Sequence, residues 1–443
     1  MRRERLPHGA SSRRAALAVL PEPCDRRAQK QIDEVHVRGL RACWRARPRD
    51  DDDVVHRATA EAQHEALRSG KWTLLAKQED EEAAVPVISV PQEFNMEDLY
   101  VDLRSVLGTP LFLKCEGFNF PGSIKLKPAA DMVEAAEREG VLRPGSVLVE
   151  SSSGNLGVAL SMIAASKGYG FLCVTDSRCN PSTRLLMEAL GTQVHVITEP
   201  DPVDGFLGAR ISYVRAVCAS DERFVWLNQY TNPGNWRSHY RTTAPAIAHQ
   251  FPELDVLFVG AGTTGTLMGC SRYFREWHRP VWVVAVDAVG SVTFGGEPGR
   301  RMIPGLGTST GAPLLDRSYV DDVVLVEEAD TIRACHRLAK RGFLFGGSTG
   351  TVVSGALDWL GKHDALDLTA VAIAPDLGER YLETVYQSDW VRDLYGEGAF
   401  SSDGPVVGSR RPEPRRLAAR RRACRVPLRV GQKTADVSSK ELA

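Results

Sequence analysis

Residues 118–127 read Phe-Asn-Phe-Pro-Gly-Ser-Ile-Lys-Leu-Lys, and Lys125 in that run is placed for chemistry. It follows a Pro-Gly-Ser turn at the mouth of a helix, so its ammonium meets backbone N–H groups and a positive dipole end, both of which disfavour its charge. A lysine so placed can act as an amine. Taken alone, Lys125 and its neighbour Lys127 are ordinarily solvated charges, since perturbed groups cluster at few sites.

Three further runs change that weighing. Residues 150–157, Glu-Ser-Ser-Ser-Gly-Asn-Leu-Gly, put three hydroxyls, two glycines and an amide on a strand-to-helix turn, donors that can wrap an anion such as a carboxylate. Capping the helix would need only one of those serines. Residues 259–266, Val-Gly-Ala-Gly-Thr-Thr-Gly-Thr, join closely approachable backbone to three threonine hydroxyls, which suits a phosphate at a helix N-terminus. Gly260, Gly262 and Gly265 also satisfy the GxGxxG spacing, and Asp287 ends the next strand where a ribose-binding acid belongs. A dinucleotide site, and with it an NAD-dependent dehydrogenase, is therefore a rival; it leaves Lys125 and the Ser-Ser-Ser-Gly-Asn turn unexplained. Residues 345–351, Phe-Gly-Gly-Ser-Thr-Gly-Thr, carry Ser348, which on its own merits is an N-cap.

Such turns need a scaffold that brings them to one edge, and the apolar pattern between 85 and 395 supplies it. Strands are expected at 110–115, 146–150, 171–175, 193–198, 225–228, 255–259, 281–287, 322–326 and 368–374. Between them helical spacing appears at 128–139, 156–167, 182–190, 207–219, 240–250, 265–277, 329–341 and 351–361. This alternation predicts an α/β protein with parallel sheets in right-handed βαβ units, and a site at the carboxyl ends of the strands. Two subdomains are expected, roughly 85–240 and 241–395.

Composition narrows the function class. A chain of 443 residues is too long for one compact core and predicts roughly two or three domains. Its 43% hydrophobic and 25% charged content is that of an ordinary soluble protein, and a net charge of −1 offers no general attraction to nucleic acid or membrane. The nine cysteines are scattered without a CxxC pair, so neither a disulfide framework nor a zinc or other metal site is expected, and a reducing cytoplasm is. No apolar run approaches the ~20 residues of a membrane span. Residues 1–84 and 396–443 carry blocks of like charge and are expected to be disordered extensions.

Together the four runs resemble the β-family of pyridoxal-phosphate enzymes, fold type II, whose members include cysteine synthase and cystathionine β-synthase. The likeness extends from about residue 85 to about 393 with the motifs in family order. It implies two open twisted, mostly parallel sheets with pyridoxal 5'-phosphate in the cleft between them. It implies that Lys125 binds the cofactor covalently and is the catalytic base, and that Asn155 meets the phenolic oxygen. Gly262, Thr263, Thr264, Gly265 and Thr266 would bind the phosphate, with Ser348 facing the pyridine nitrogen. Ser152, Ser153 and Gly154 would grip the substrate carboxylate, with Gln229, Tyr230 and Asn232 of the Gln-x-x-Asn-Pro segment lining the substrate site.

Two departures matter. Cysteine synthases carry Lys-Asp-Arg where this chain has Lys125-Leu126-Lys127-Pro128, and a threonine where it has Leu156. With Arg-Met-Ile-Pro-Gly-Leu-Gly-Thr-Ser at 301–309, the chain is instead similar to the branch that makes 2,3-diaminopropionate precursors for siderophores and viomycin-type peptide antibiotics. That branch joins O-phospho-L-serine to L-glutamate, giving N-(2-amino-2-carboxyethyl)-L-glutamate, which a partner dehydrogenase then cleaves. The resemblance implies a homodimer acting on small amino-acid substrates, with cysteine synthesis as the alternative. Both substrates are anionic, so Arg300 and Arg301 are candidate contacts.

Overall fold

The computed structural model describes residues 88–276, 281–363 and 367–400, all within one compact unit that begins at Val87. The expectations for 1–84 and for the Arg-rich tail beyond 400 lie outside the described residues.

The first half of the fold runs β1 (Tyr100–Asp102), α1 (Leu103–Leu107), β2 (Leu111–Cys115), α2 (Leu126–Arg138), β3 (Val147–Ser151), α3 (Asn155–Lys167) and β4 (Gly170–Asp176). It continues through α4 (Pro181–Ala189), β5 (Gln193–Ile197), α5 (Gly205–Ser220), β6 (Phe224–Trp226), α6 (Gly234–Arg241) and α7 (Thr243–Gln250). The second half contains β7 (Val256–Gly260), α8 (Gly265–Glu276), β8 (Trp282–Ala288), β9 (Asp322–Val326), α9 (Glu328–Ala339), α10 (Gly347–Lys362), β10 (Ala370–Ala374) and α11 (Ser388–Tyr395).

The strands form two sheets. One has six strands in the order β1-β2-β10-β7-β8-β9, the other four in the order β5-β4-β3-β6. Every pairing is parallel except that of β1 with β2. Strands clothed by helices on both faces must be apolar at every position, and alternate residues of β7 show why. Val256 and Phe258 enter one core cluster with Val284 and Trp359, while Leu257 and Val259 enter another with Phe274 and Val283. The smaller sheet divides in the same way, Leu148 and Phe171 on one face and Val149, Leu172 and Val174 on the other. Among the described residues no helix is long and apolar enough to cross a membrane.

The helices follow their expected signals. In α2, Leu126, Ala129, Met132, Val133 and Ala136 form one buried stripe, and Gly140 at φ 69° lets the chain turn away beyond it. The single helix expected at 240–250 is two. Thr242 sits at φ −125° and ψ −65° between α6 and α7, and its hydroxyl donates to the Ser238 carbonyl at 2.8 Å, capping one helix as the next begins. Nor do the sheets divide at residue 240. β2 lies beside β10, with Ala370 opposite Leu111 and Ala374 opposite Cys115, so the segment carrying Lys125 leaves the larger sheet and runs toward the smaller one.

Candidate active site

Lys125 is the N-cap of α2, and Ile124 just before it is tied by its N–H to the Pro375 carbonyl at 2.7 Å. The amine lines a cleft between the two sheets. Burial pulls its pKa from 10.5 down to about 8, and the Asp376 carboxylate limits the drop. The cause is thus chiefly desolvation. Lys127, two residues on, is neither solvated nor in the cleft. It is buried, with its Nζ 2.9 Å from Glu116 Oε2.

The same cleft is lined by Ser152, Ser153, Gly154, Asn155, Gln229, Tyr230, Arg301 and Ser348, and by the whole run from Gly262 to Thr266. Asn232 and Arg300 are elsewhere. Asn232 shapes its own turn, donating to the Leu227 carbonyl at 2.8 Å and accepting from Gly234 N–H. Arg300 is exposed.

Each turn is held from behind. The Ser152 hydroxyl accepts the Gly157 N–H at 2.9 Å, so this serine does cap α3, and its own proton remains available to a ligand. Buried Glu150 accepts from Ser151 N–H, Gln229 N–H and the Trp226 indole at 2.9, 3.2 and 3.0 Å. Burial pushes its carboxyl up to about 7 against those three donors. Gln229 in turn donates to the Ser151 carbonyl at 2.8 Å. Arg301 is held in place by its guanidinium, which donates to the Thr308 carbonyl and the Ser309 hydroxyl at 3.2 and 3.0 Å, and to the Gly290 carbonyl.

The loop between β7 and α8 has the features an anion requires. A Cβ at Gly262 would fall 2.7 Å from the Gly305 carbonyl oxygen and one at Gly265 2.0 Å from Asn235 Oδ1, so only glycine lets these segments approach. Thr263 Oγ1 accepts from Asn235 Nδ2 at 2.9 Å. Thr264 Oγ1 is buried without a hydrogen-bond partner among the described residues, and a buried orphan donor of this kind calls for an acceptor. Backbone N–H groups at the start of α8 and a hydroxyl with nothing to bind fit a phosphate ester. Thr264 is also held at φ 66°, a conformation that costs a β-branched residue free energy. Thr264→Gly is therefore expected to raise the unfolding free energy of the protein by about 1 kcal/mol while removing a hydroxyl from the loop. Urea denaturation measures it, and a lower midpoint would contradict the strain.

The dinucleotide reading does not survive this geometry. Asp287 is fully buried, bonded to its neighbour's N–H at 2.8 Å, and is not among the residues lining the cleft.

The residue that sequence reasoning missed is Asp376, fully buried just past the end of β10. Its Oδ2 accepts from Tyr381 Oη at 2.6 Å, Asn155 Nδ2 at 3.1 Å and Ser348 Oγ at 3.4 Å, and its Oδ1 from Thr349 Oγ1 at 3.2 Å. Burial holds its pKa above the usual carboxylate value despite these donors. Three arginines also went unnoticed. Arg178 and Arg210 line the cleft, both held by Asp176 at the end of β4, at 3.0 and 3.3 Å. Arg380 lines it too and donates to the Pro121 carbonyl of the lysine turn at 2.9 Å. The available signal was position, since Asp176 and Asp376 close apolar strands at their carboxyl ends, where open α/β sheets place their sites.

Known proteins share this arrangement. The family model described as "Pyridoxal-phosphate dependent enzyme" matches residues 100–375. The N-(2-amino-2-carboxyethyl)-L-glutamate synthase of Ralstonia nicotianae is 40% identical over 302 residues, 67% of this chain and 89% of that one. The crystal structure of O-ureido-L-serine synthase is similar with a TM-score of 0.63 and 32% identity, covering 72% of this chain and 98% of the other. A hydrogen sulfide-producing enzyme from Fusobacterium nucleatum is similar with a TM-score of 0.63 and 30% identity, covering 67% and 100%. An amine of lowered pKa, a hydroxyl-rich turn and a phosphate-shaped loop on one cleft are what such an enzyme requires, and with matches of this extent the chain belongs to the pyridoxal-phosphate dependent enzyme family.

Proposed function

We propose that this enzyme performs β-replacement, joining O-phospho-L-serine to L-glutamate to give N-(2-amino-2-carboxyethyl)-L-glutamate and phosphate. The observation that carries the substrate class is the set of four arginines, Arg178, Arg210, Arg301 and Arg380, lining one cleft. Phosphoserine brings a phosphate and a carboxylate, glutamate two carboxylates, and the guanidinium fork matches both kinds of oxyanion. The 40% identity to a synthase of that name supports the same reading.

The roles follow from position. Lys125 would hold the cofactor covalently, and its freed amine would take the proton from substrate Cα and later return it, a task commonly worth ~10²–10⁴ in rate. Thr263, Thr264 and Thr266, with the backbone of Gly262 and Gly265, would hold the phosphate group, Asn155 the phenolic oxygen and Ser348 the ring nitrogen. Ser152, Ser153, Gly154 and Gln229 would receive the substrate carboxylate. Bound there, pyridoxal phosphate supplies the electron sink for charge developing at Cα. Ser348 is a neutral hydroxyl, so it brings no charge to favour protonation of the ring nitrogen, and loss of the β-substituent is favoured over transamination. In the net reaction the Cβ–O bond to phosphate is exchanged for a C–N bond to the glutamate amine, which gives up a proton.

The same reading extends to a cytoplasmic homodimer working ahead of a dehydrogenase that consumes the product. Its support is the unpaired state of the six cysteines among the described residues, and the exposed apolar side chains Phe94, Met96, Phe118 and Phe120 on two touching segments.

The test is phosphate release from O-phospho-L-serine by the purified enzyme. Release is expected to require L-glutamate. Equal turnover of O-acetylserine with sulfide would instead make the enzyme a cysteine synthase.

A further inference from the structure

A chain of buried polar groups, of which this mechanism uses only the last, runs behind the β7–α8 loop. Lys127, Thr243, His239 and Thr266 are 8%, 0%, 0% and 8% exposed, and each touches the next. Lys127 Nζ lies 3.1 Å from Thr243 Oγ1. Thr243 Oγ1 lies 3.0 Å from His239 Nδ1, and His239 Nε2 lies 3.2 Å from Thr266 Oγ1.

The proton positions can be deduced from the chemistry of each group. An ammonium only donates, so Thr243 Oγ1 accepts from Lys127. The Thr243 hydroxyl has one proton, and His239 Nδ1 is its only other partner among the described residues. Were Nδ1 protonated, that hydroxyl proton would be buried without an acceptor. Thr243 therefore donates to a bare Nδ1. A neutral imidazole with a bare Nδ1 carries its proton on Nε2, so Thr266 Oγ1 accepts. The Thr266 hydroxyl proton then has no protein acceptor among the described residues and is left for a ligand in the cleft.

We infer that Lys127, Thr243 and His239 form a one-way donor relay that fixes the Thr266 hydroxyl as a hydrogen-bond donor toward a phosphate ester. His239 is thus a positioning residue, and the inference rests on the phosphate reading of the 262–266 loop. An imidazolium would break the relay at its second link, because Nδ1–H would then point at Thr243 and leave that hydroxyl's proton without an acceptor. That form is suppressed, since burial and the nearby Lys127 and Lys125 ammonium groups hold the His239 pKa well below its usual value. Glu116 completes the arrangement. It is fully buried between Lys114 and Lys127 and anchors the relay's first donor.

The test has two parts, both on the full chain. In ¹⁵N NMR of the histidine-labelled holoenzyme, with His239→Gln to assign the signal, His239 is expected as the neutral Nε2–H form and unchanged between pH 8 and pH 6. An Nδ1–H ring or an imidazolium overturns the relay, whatever the variants do. The near-isosteric Thr243→Val removes the proton that fixes the ring. Reconstitution followed by absorbance is expected to show weaker affinity for pyridoxal phosphate, about threefold to tenfold, with affinity for phosphate-free pyridoxal unchanged and Thr243→Ser restoring the loss. Equal weakening for both aldehydes would mean general damage and overturn the inference. Thr266→Val separates the two layers of argument. If it leaves pyridoxal phosphate affinity intact, the phosphate reading of that hydroxyl fails. If it weakens affinity while Thr243→Val does not, only the relay fails.

Discussion

Replacement of Lys125 by alanine is expected to abolish the absorbance band of the lysine-bound cofactor and to lower turnover about 10³-fold or more, while leaving the fold intact. The amine lines the cleft and makes no salt bridge among the described residues, so its loss orphans no partner there. Lys127→Ala is the control. It should keep the band yet cost roughly 2–4 kcal/mol of stability, because among the described residues Glu116 would retain only Lys114 as a counter-charge. The pH dependence has a definite sign. Folding lowers the Lys125 pKa from 10.5 to about 8, so the folded state carries a desolvated ammonium at neutral pH. That penalty is fully present below about 8 and is relieved as pH rises toward 10.5, so stability gains from this group over that window and Lys125→Ala removes the gain. The rate at which the protein captures cofactor should likewise climb with the neutral amine and level off above about 8. A lysine-bound band in Lys125→Ala, or a rate still climbing through pH 10, would contradict the assignment.

Asp376→Ala is expected to destabilise the protein by about 3 kcal/mol, since a buried donor stripped of its acceptor costs ~1–3 kcal/mol and several are stripped here. Tyr381, Asn155, Ser348 and Thr349 all donate to this one carboxylate. Turnover should fall as well, because Asn155 and Ser348 lose the group that orients them. The space is tight, for a Cβ at Gly346 would sit 2.4 Å from the Asp376 carboxyl, so larger side chains are no remedy. Urea denaturation read beside steady-state kinetics checks both effects. A change below ~0.5 kcal/mol with normal turnover would show that the carboxylate anchors nothing.

The parts of this site that were legible are those written as local runs. The lysine turn, the Ser-Ser-Ser-Gly-Asn turn and the Gly-Thr loop each combine residue types that ordinary turns do not need. The βα alternation around them is plain because strands buried on both faces, such as Ala370–Ala374, are apolar throughout. Single residues were another matter. Asp376 stands alone after its strand, and its importance arises from Asn155, 221 positions earlier, and Ser348, 28 earlier. Arg178 and Arg210 are apart in sequence and meet only because both reach Asp176. Lys127 looked like a solvated helix residue because the Glu116 that buries it lies on the connection after β2. The pairing of β2 with β10 could not be read at all, since a parallel strand carries no mark of which distant strand it will meet. Arg300 and Arg301 were indistinguishable as neighbours, and only the loop's path puts Arg301 in the cleft.

The most direct test of the central claim is to follow the nitrogen. Purified enzyme would be incubated with O-phospho-L-serine and ¹⁵N-labelled L-glutamate, and the products identified by mass spectrometry and NMR. The account predicts a single new amino acid in which the labelled nitrogen is bonded both to the glutamate α-carbon and to the former Cβ of serine, formed in step with phosphate. Phosphate accompanied by pyruvate and ammonia, with the glutamate recovered unchanged, would contradict it.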